Sequence, residues 1–564
     1  MADNTEVHPS DMRVVRFERR IDRPRPEGVI IFDYPAKGGR RGTVSISADY
    51  CDDPVKVLRE LRRELADLPR DRTQALAVVD EVLAAGVDAP VFELTSRTGW
   101  YDESFVLPGK TFGPKRDTLR FSPPVGGVCG RDRDAGTLEG WRNGLRRSCA
   151  ASSILTFAIA AAFSAPLASD AELSEGAIFM LAGASGTGKT TAQRAAMSVY
   201  GASDITLMPT FDATGRALEE LCSSFNDTLV VLDEVNRAGR TRKAREEKLS
   251  EIAYKVPGGV GRLRAASVSE QGLANLSWRV TVLCTAEESF YGGEGGDSRR
   301  TGERVRLVEI PVPKPDLGGI FPASYLDPGE RLARGRELTE AVDSIIRVHY
   351  GKAIQRFIRG LVKYGEVELK GEIRRLMAEF TMELLDRDEP FAARLASKFA
   401  LVCAGGRLAA RLKVAPFDEE RCVKACRHLF GMSLRAMMPK PPMTVERYAK
   451  ALRRLLRDPG RLPVVEEGQC LPSDVREPIG VVRKVGVDRV ILIRKDDLRR
   501  VVDAPIGMAL LDEFARVGAL VIGGDGNRTI QVKVSGWPAA GRLRWFAFKV
   551  ERIEKLAKGR PATV

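Results

Sequence analysis

The chain has 564 residues, of which 44% are hydrophobic and 29% charged, a composition typical of a globular protein with roughly three or four compact domains. Its first residues lack the apolar stretch of a signal peptide, and its most apolar segment, Ile154 to Ala168, is shorter than the roughly 20 residues that a bilayer span requires, so we expect a cytoplasmic protein without membrane spans. The formal charge of +13 is concentrated between Lys440 and Val564, where 25 Lys and Arg residues outnumber 15 Asp and Glu residues, and this excess favours a polyanionic partner such as a nucleic acid.

Hydrophobic periodicity divides the chain into four regions. Residues 1–145 predict a mixed α/β domain. Residues 146–320 alternate short apolar runs with helical patterns, which predicts a parallel sheet covered by helices, the core of an α/β fold. Residues 321–440 are almost wholly helical in pattern, and we expect them to pack against the sheet domain as a lid. Beyond a proline-rich boundary, residues 441–564 predict a basic winged-helix-like domain, in which Ala519 to Val534 would form a β-hairpin.

The first apolar run of the second region leads into a phosphate-binding pattern, the P-loop. Its glycines permit a tight turn whose N–H groups point at phosphate oxygens, at the N-terminus of the following helix. Lys189 would reach the β- and γ-phosphates of ATP, and the Thr190 hydroxyl would hold Mg²⁺. The predicted nucleotide-binding residues are Gly183, Ala184, Ser185, Gly186, Thr187, Gly188, Lys189, Thr190 and Thr191.

A second apolar run, Leu229 to Leu232, ends in the carboxylates of Asp233 and Glu234. Neighbouring strands of a parallel sheet would deliver both beside the metal. Asp233 would bind the hydrated Mg²⁺, and Glu234 would orient and deprotonate the attacking water. Because the second carboxylate serves a water nucleophile, the pair favours ATP hydrolysis over ATP binding alone. The alternative is an Asp-Glu pair that caps a helix at the end of a strand.

A third apolar run ends in Thr285. In ATPases of the AAA+ type, which this site resembles, a polar side chain at this strand end, usually Asn, contacts the γ-phosphate and the water, and the resemblance implies this role for Thr285. Hydrolysis also needs a cation opposite the γ-phosphate. Arg306 is the first candidate and Arg304 the second, with Arg299 and Arg300 nearby; in AAA+ assemblies this arginine comes from a neighbouring subunit. The alternative is an arginine-rich loop folded onto an acidic surface.

Several segments together resemble the bacterial family called domain of unknown function 927. They are Trp141-Arg142, the small-residue helix up to Leu167, GASGTGKTTAQRAAMSVYG, ATGRALEELCSSFNDTLVVLDE, YKVPGGVGRLRA, Trp278-Arg279, VRLVEIP, TGWYDESFVLPGKTFG and RLASKFALVCAGGRLAARL, so the resemblance spans approximately residues 85–435. Better understood relatives of this family look like the self-loading replicative helicases of staphylococcal cassette chromosomes, AAA+ proteins similar to the MCM helicases. The resemblance implies a ring, expected to be a homo-hexamer, around DNA. The P-loop and the Asp-Glu pair are intact, which argues against an inactivated member.

Candidate DNA contacts lie in two regions. The resemblance adds a hairpin at Gly258 to Arg264 that would project into the pore of a ring, with a solvated charged loop as the alternative. In the basic C-terminal region, arginines and lysines suit non-specific contact with the DNA backbone, with a protein-docking module as the alternative. The predicted DNA contacts are Arg262, Arg264, Arg453, Arg454, Arg528 and Lys533.

The nine cysteines are scattered along the chain. Cys422 and Cys426 are followed by His428 but lack a second pair that would complete a zinc site. We therefore expect buried thiols on a helix.

These features predict a DNA-dependent ATPase that uses ATP and Mg²⁺, a ring-forming replicative-type helicase or translocase of a mobile element or prophage. The alternative is an ATP-switched DNA-binding assembly or scaffold protein in replication initiation or phage defence, without unwinding. A small-molecule kinase fits poorly, because kinases of the P-loop type rarely combine a long helical lid with a basic C-terminal domain.

Overall fold

The structure of the chain, a computed structural model, divides into two compact units, Met1–Met438 and Pro439–Val564. It describes residues 12–22, 27–123, 130–239, 241–262, 276–291, 301–323, 325–382, 384, 390–437, 444–472, 475, 478–502, 507–537 and 543–558. In these residues the protein has a mixed α/β fold that includes a parallel sheet and many helices, as the sequence predicts.

The first unit begins with a five-stranded sheet and two helices. The elements are β1 (Arg13–Arg20), β2 (Glu27–Ala36), β3 (Arg40–Ser47), α1 (Pro54–Arg63), α2 (Arg72–Ala85), β4 (Val91–Thr95) and β8 (Leu119–Phe121), with the strand order β3-β2-β1-β4-β8. Strands β1 to β3 run antiparallel, whereas β4 runs parallel to both β1 and β8. Ile30 and Phe32 on β2 share one buried core with Leu58 and Leu61 on α1 and with Val79 on α2.

A small antiparallel sheet connects this part of the unit to the next. Its strands are β5 (Gly99–Tyr101), β6 (Ser104–Leu107) and β7 (Lys110–Phe112). The Trp100 indole N–H donates to the Pro166 carbonyl at 2.8 Å, and the Thr98 hydroxyl donates to the Asn226 carbonyl at 2.8 Å. These hydrogen bonds hold the start of the small sheet against the segment after α4 and the segment that leads into the central sheet.

The central sheet has four parallel strands in the order β10-β11-β9-β12. They are β9 (Ala177–Ala182), β10 (Thr228–Leu232), β11 (Val280–Ala286) and β12 (Leu307–Pro311). Nearly all their residues are buried, as expected for strands covered on both faces. The surrounding helices are α3 (Leu138–Ala151), α4 (Ser153–Ser164), α5 (Lys189–Ser198), α6 (Gly215–Ser224), α7 (Arg242–Gly258) and the short α8 (Thr301–Arg304).

The apolar segment that begins at Ile154 forms the buried helix α4. No helix among the described residues is long and apolar enough to cross a membrane. The part of this unit that the structure describes contains five further helices: α9 (Pro328–Val348), α10 (Lys352–Val362), α11 (Glu366–Met382), α12 (Pro390–Arg411) and α13 (Glu419–Met437). Helix α12 approaches α4 so closely that a Cβ at Gly405 would lie 2.6 Å from the Ser164 backbone, which explains the small residues at this crossing.

In its described residues, the second unit has an antiparallel sheet and three helices. The elements are α14 (Val445–Leu455), β13 (Gly480–Val485), β14 (Asp488–Ile493), α15 (Met508–Arg516), β15 (Ile530–Val532), β16 (Leu543–Lys549) and α16 (Val550–Ala557), with the strand order β13-β14-β16-β15. The predicted hairpin at Ala519 to Val534 is wrong, because β15 pairs with β16 and Leu520 makes only an isolated bridge. Strand β16 takes the partner position because its alternating side chains fill two buried clusters, one on each face of the sheet.

Candidate nucleotide-binding site

The loop between β9 and α5 has the backbone conformation that phosphate binding requires. Gly186 and Gly188 have φ values of 75° and 87°, in the left-handed region that side chains rarely adopt. Gly188 directly precedes the first residue of α5, so the loop ends at a helix N-terminus, where N–H groups point away from the helix. Gly183 is required for a different reason, since a Cβ there would lie 2.8 Å from the Val312 carbonyl oxygen.

The Lys189 side chain folds over this loop. Its ammonium donates to the carbonyls of Gly183 at 2.6 Å and Ala184 at 2.7 Å. Burial lowers the pKa of Lys189, whereas the carboxylates of Glu287 and Glu234 raise it. A cation held in this way beside the helix N-terminus is matched to the charge of a bound phosphate.

A cavity of about 730 Å³ opens above the loop. Its walls include the loop and the start of α5, both carboxylates after β10, Thr285 near the end of β11 and Glu287 just after it, and side chains of α9. The structure thus brings together the following residues predicted from the sequence: Ser185, Gly186, Thr187, Gly188, Lys189, Thr190, Thr191, Asp233, Glu234 and Thr285. Gly183 and Ala184 form the base of the loop and contact Lys189 through their carbonyls.

The strand order corrects one expectation from the sequence. The strand that carries Asp233 is not adjacent to the P-loop strand, because β11 lies between β10 and β9. Thr285 therefore stands between the loop and the two carboxylates. Its hydroxyl accepts a hydrogen bond from the Glu234 backbone N–H at 3.3 Å and donates to Asp233 Oδ1 at 3.4 Å.

Glu234 adopts a strained backbone conformation. Its φ is 45°, which is rare for a residue with a side chain. Such a conformation costs on the order of 1–3 kcal/mol and persists only where neighbours enforce it. Here the Asp233 N–H donates to the Pro209 carbonyl at 2.8 Å, and the Glu234 N–H is held by Thr285. The strain directs the chain out of β10 at the point where a catalytic carboxylate is expected.

Gln193 is a buried residue beside the site that the sequence pattern did not single out. Its side-chain amide donates to the carbonyls of Leu232 at 3.0 Å and Leu283 at 3.3 Å. It therefore links α5 to the end of β10 and to the middle of β11, and it fixes the P-loop helix relative to the carboxylates. The position of Gln193 in the helix that follows the P-loop was the available signal, but only the fold identifies its acceptors.

Two arginines of α9 and a glutamate after β11 also line the cavity and were not predicted. Arg331 donates to the carbonyls of Leu326 at 2.7 Å and Asp316 at 3.0 Å, so its position is fixed. Arg336 is exposed within the cavity wall. Glu287 follows Thr285 by two residues and faces Lys189. The helix brings cationic side chains to the open side of the site, which the sequence could indicate only as an arginine-rich helical pattern.

Arg306 and Arg304, two of the arginines predicted to face the γ-phosphate, lie just before the start of β12, at the end of the strands opposite the P-loop. Arg306 immediately precedes β12, and its side chain pairs with Glu175 at 2.7 Å and donates to the Gly302 carbonyl at 3.1 Å. Arg304 is only 1% exposed and donates to the Met437 carbonyl at 2.6 Å, so the second choice is a buried structural residue and cannot reach another subunit. Arg299 and Arg300 lie outside the described residues.

The predicted DNA contacts are separated. Val260 forms an antiparallel bridge with Ser277, and the Gly261 N–H donates to the Leu276 carbonyl at 2.8 Å, so two chain segments pair next to Arg262. Arg262 is exposed, and its backbone N–H donates to Glu219 at 3.3 Å. Arg264 lies outside the described residues.

The C-terminal candidates differ in exposure and charge. Arg454 and Lys533 are exposed, and Arg453 is half-buried, on α14 and after β15. Arg528 forms an ion pair with Asp512, which reduces the charge that it can offer to a phosphate.

A group of thiols that could hold a soft metal lies away from this site. Cys403 joins Cys422 and Cys426, and their three sulfur atoms lie within 4.8 Å of one another. All three residues are buried, and burial raises the pKa of Cys426 well above its usual range, which keeps its thiol protonated and neutral. His428 is not part of the group. The sequence predicted buried thiols on a helix but not the contribution of Cys403 from α12.

Comparisons with known proteins found a family model and a solved structure to which the chain is similar. The family model "Domain of unknown function (DUF927)" matches residues 59–271, a range that includes the P-loop and the Asp-Glu pair, and confirms the resemblance to that family. A solved structure described as "SCCmec type IV Cch - active helicase" is similar to the chain with a TM-score of 0.54 and 15% identity, over 96% of this chain and 93% of that chain. At this identity the similarity concerns the fold. No curated protein matches the sequence.

Proposed function

We propose that the chain is a DNA-dependent ATPase and that it acts as a ring-forming helicase or translocase of a mobile element or prophage. The observation that carries the proposal is the single cavity shared by Lys189, Asp233, Glu234 and Thr285. Hydrolysis of a nucleoside triphosphate needs a lysine, two carboxylates and a hydroxyl, and these groups meet here at the carboxyl ends of the parallel strands.

The residues fit ATP and Mg²⁺. The N–H groups of the glycine loop and the Lys189 ammonium would bind the phosphates, in the place where that ammonium now caps two carbonyls. The Thr190 hydroxyl and the Asp233 carboxylate would hold Mg²⁺, which supplies charge neutralisation on the phosphate oxygens when it is bound. Glu234 would accept the proton of the attacking water, and Thr285 would position that water through its hydroxyl.

Two cations are proposed to complete the site. Arg336 of α9 would approach the phosphates within the same chain, and α9 would act as part of a lid over the cavity. Strand β12 pairs with the P-loop strand β9, and Arg306 precedes β12 at the start of these strands, whereas the P-loop follows their far end. Because Arg306 is thus distant from the P-loop of its own chain, we propose that it serves the site of a neighbouring subunit in a ring, expected to be a hexamer.

DNA is the proposed track of this ATPase. The support is the basic excess of the C-terminal region, the exposed Arg454 and Lys533 in the second unit, and the exposed Arg262 beside the paired segments. The similar solved structure is that of a helicase, which adds to this support. Arg453, Arg264 and Arg528 are further candidates for contact with DNA phosphates. Arg528 is the weakest of them, because it also pairs with Asp512.

The direct test is ATP turnover with and without single-stranded and forked DNA. We expect DNA to increase the turnover several-fold at low salt, and the increase to fall as salt rises because phosphate contacts release counterions. Turnover that DNA does not change at low salt would contradict the proposal. Strand displacement on the forked substrate then separates unwinding from translocation.

The second candidate is an ATP-switched DNA-binding scaffold that assembles without unwinding. The observation that favours it is the pairing of Arg306 with Glu175, because this contact must open before Arg306 can reach a neighbouring site, and nucleotide-dependent assembly could control that opening. Native mass measured in ADP and in a non-hydrolysable ATP analogue, beside the strand-displacement assay, distinguishes the two. Ring formation in the ATP analogue without displacement of a DNA strand would support the scaffold.

A further inference from the structure

The first unit carries a groove away from the nucleotide site. It consists of two adjoining cavities of about 800 and 590 Å³ that share Arg120 and Phe121 as lining residues. The turn between β6 and β7, strand β8 and the end of α10 line the larger cavity, and β1 and β4 line the smaller one. The cations of this basic groove are Arg16, Lys110, Arg116, Arg120, Arg359 and Lys363.

The charge of the basic groove is poorly compensated. Its lining includes one carboxylate, Glu18, which pairs with Arg16 at 2.6 Å. Lys110 pairs with Asp134 at 3.0 Å and Arg116 pairs with Asp117 at 3.2 Å, and neither of these carboxylates lines the groove. Among the described residues, no carboxylate forms an ion pair with Arg120, Arg359 or Lys363, all of which are exposed. A concave surface with this charge attracts a polyanion.

Aromatic rings alternate with these cations. The Arg120 guanidinium lies over the Phe92 ring at 5.0 Å, and the Arg359 guanidinium lies over the Phe112 ring at 5.4 Å. Phe121 is half-buried between the two cavities and lines both of them. Rings that line a groove can stack on unpaired bases. Arg120 Nη1 donates to the carbonyls of Arg116 at 2.6 Å and Leu119 at 3.4 Å, which leaves the other N–H groups of this guanidinium for phosphates.

We propose that the basic groove binds single-stranded DNA, with phosphates on Arg120, Arg359 and Lys363 and a base stacked on Phe121. A single strand is favoured over a duplex because only unpaired bases can leave their stack and reach a ring inside a groove. The inference rests on the proposed function for the choice of DNA as partner. None of the groove residues lines the nucleotide cavity, so the groove would be a separate contact for the strand on which the ATPase acts.

The test measures binding of a fluorescent oligothymidine to the full chain by anisotropy, across a series of salt concentrations. The triple variant Arg120→Ala, Arg359→Ala, Lys363→Ala removes three proposed phosphate contacts. We expect its affinity to fall about tenfold or more, and the slope of log affinity against log salt to become shallower by about 2, since each contact on a single strand contributes about 0.7. The matched control replaces Lys37, Arg59 and Arg356, three exposed cations outside the groove, with alanine and should bind as the wild type does.

A second variant separates stacking from charge. Phe121→Ala should weaken binding about fivefold or more without changing the salt slope. Phe121→Tyr keeps an aromatic ring and should bind with the affinity of the wild type. An oligouridine run in parallel shows whether the groove distinguishes DNA from RNA, and preference for RNA would overturn the choice of DNA.

The outcomes separate the groove from the ATPase. Basal ATP turnover without DNA should be unchanged in all these variants. If the triple variant binds oligothymidine with wild-type affinity and slope while DNA still stimulates ATP turnover, the groove proposal fails alone. If the groove variants lose binding but ATP is not hydrolysed by the wild type, the proposed function fails and the groove stands as a DNA-binding site.

Discussion

The backbone N–H of Glu234 donates a hydrogen bond to the Thr285 hydroxyl at 3.3 Å. This contact joins the ends of two neighbouring strands, and the same hydroxyl donates to Asp233 at 3.4 Å. A single side chain therefore links the proposed metal ligand, the proposed base and the position of the water. The strained backbone of Glu234 depends on this link.

Replacement of Thr285 tests the link. Thr285→Val keeps the shape of the side chain and removes the hydroxyl, so we predict a fall in kcat of about tenfold to a hundredfold, as for loss of one group that acts in the transition state, with a smaller change in the KM for ATP. Thr285→Ser keeps the hydroxyl and should retain most of the activity. Steady-state ATP hydrolysis measures both. Equal rates for wild type and Thr285→Val would show that the hydroxyl has no part in the reaction.

Glu234→Gln tests the assignment of the base. The amide keeps the size of the side chain but cannot accept the proton of water, so ATP should bind with unchanged affinity while hydrolysis falls by about 10² to 10⁴. Glu340→Gln is the control, because Glu340 lines the same cavity from α9. Nucleotide titration and single-turnover hydrolysis make the comparison. A Glu234→Gln protein that turns over ATP at the wild-type rate would exclude this residue as the base.

Lys189→Ala should abolish nucleotide binding. The variant removes the ammonium that faces the loop carbonyls and the phosphate position, and the fold should survive because the carbonyls of Gly183 and Ala184 can be solvated through the open cavity. Lys314→Ala, at an exposed lysine after β12, is the control. Titration with a fluorescent ATP analogue measures binding, and circular dichroism checks the fold. Binding that survives in Lys189→Ala would place the phosphates elsewhere.

Local patterns in the sequence were sufficient for the strands and for the motif residues. The apolar runs that become β9, β10 and β11 are short and bounded by polar residues, and the glycine spacing of the P-loop depends only on adjacent positions. The order of the strands was not predicted correctly, because the placement of β11 between β9 and β10 is decided by tertiary packing. For Gln193 and Arg336 the local signal was only a place in the helix after the P-loop and in an arginine-rich helix, since their roles depend on acceptors and a cavity formed by distant segments.

Arg306 is predicted to act across a subunit interface. Lys189→Ala subunits cannot bind ATP, and Arg306→Ala subunits would lack the cation for their neighbours, so each variant alone should have little activity. Mixed at equal concentrations, they should recover part of the ATP turnover, because some interfaces combine an intact Lys189 with an intact Arg306. Homogeneous samples of each variant at the same total concentration are the control. Mixtures no more active than the better variant alone would argue for action within one chain or for a purely structural ion pair with Glu175.

The buried Lys398 should make stability depend on pH. Burial lowers the pKa of Lys398 to about 8. The carboxylate of Glu175 acts to raise this pKa, and the positive charges of Arg394 and Arg306 act to lower it. Below pH 8, Lys398 carries its charge in the folded chain although it is buried. Between pH 8 and 10.5, Lys398 is protonated in the unfolded chain but neutral in the folded chain. The contribution of Lys398 to the free energy of unfolding therefore rises with pH over this interval.

Lys398→Met removes this contribution. Glu175 keeps Arg306 and Arg394 as partners, at 2.7 and 2.8 Å, so the variant leaves no isolated carboxylate. The stability of the variant relative to the wild type should therefore be greatest at or below pH 8 and decline as pH rises toward 10.5, by up to about 3 kcal/mol for a shift of this size at about 1.4 kcal/mol per pKa unit. Urea unfolding at pH 7.5, 8.5 and 9.5 measures the difference. Parallel pH curves for the two proteins would mean that Lys398 keeps its ordinary protonation in the folded state, because only a depressed pKa in the native chain can separate them over this interval.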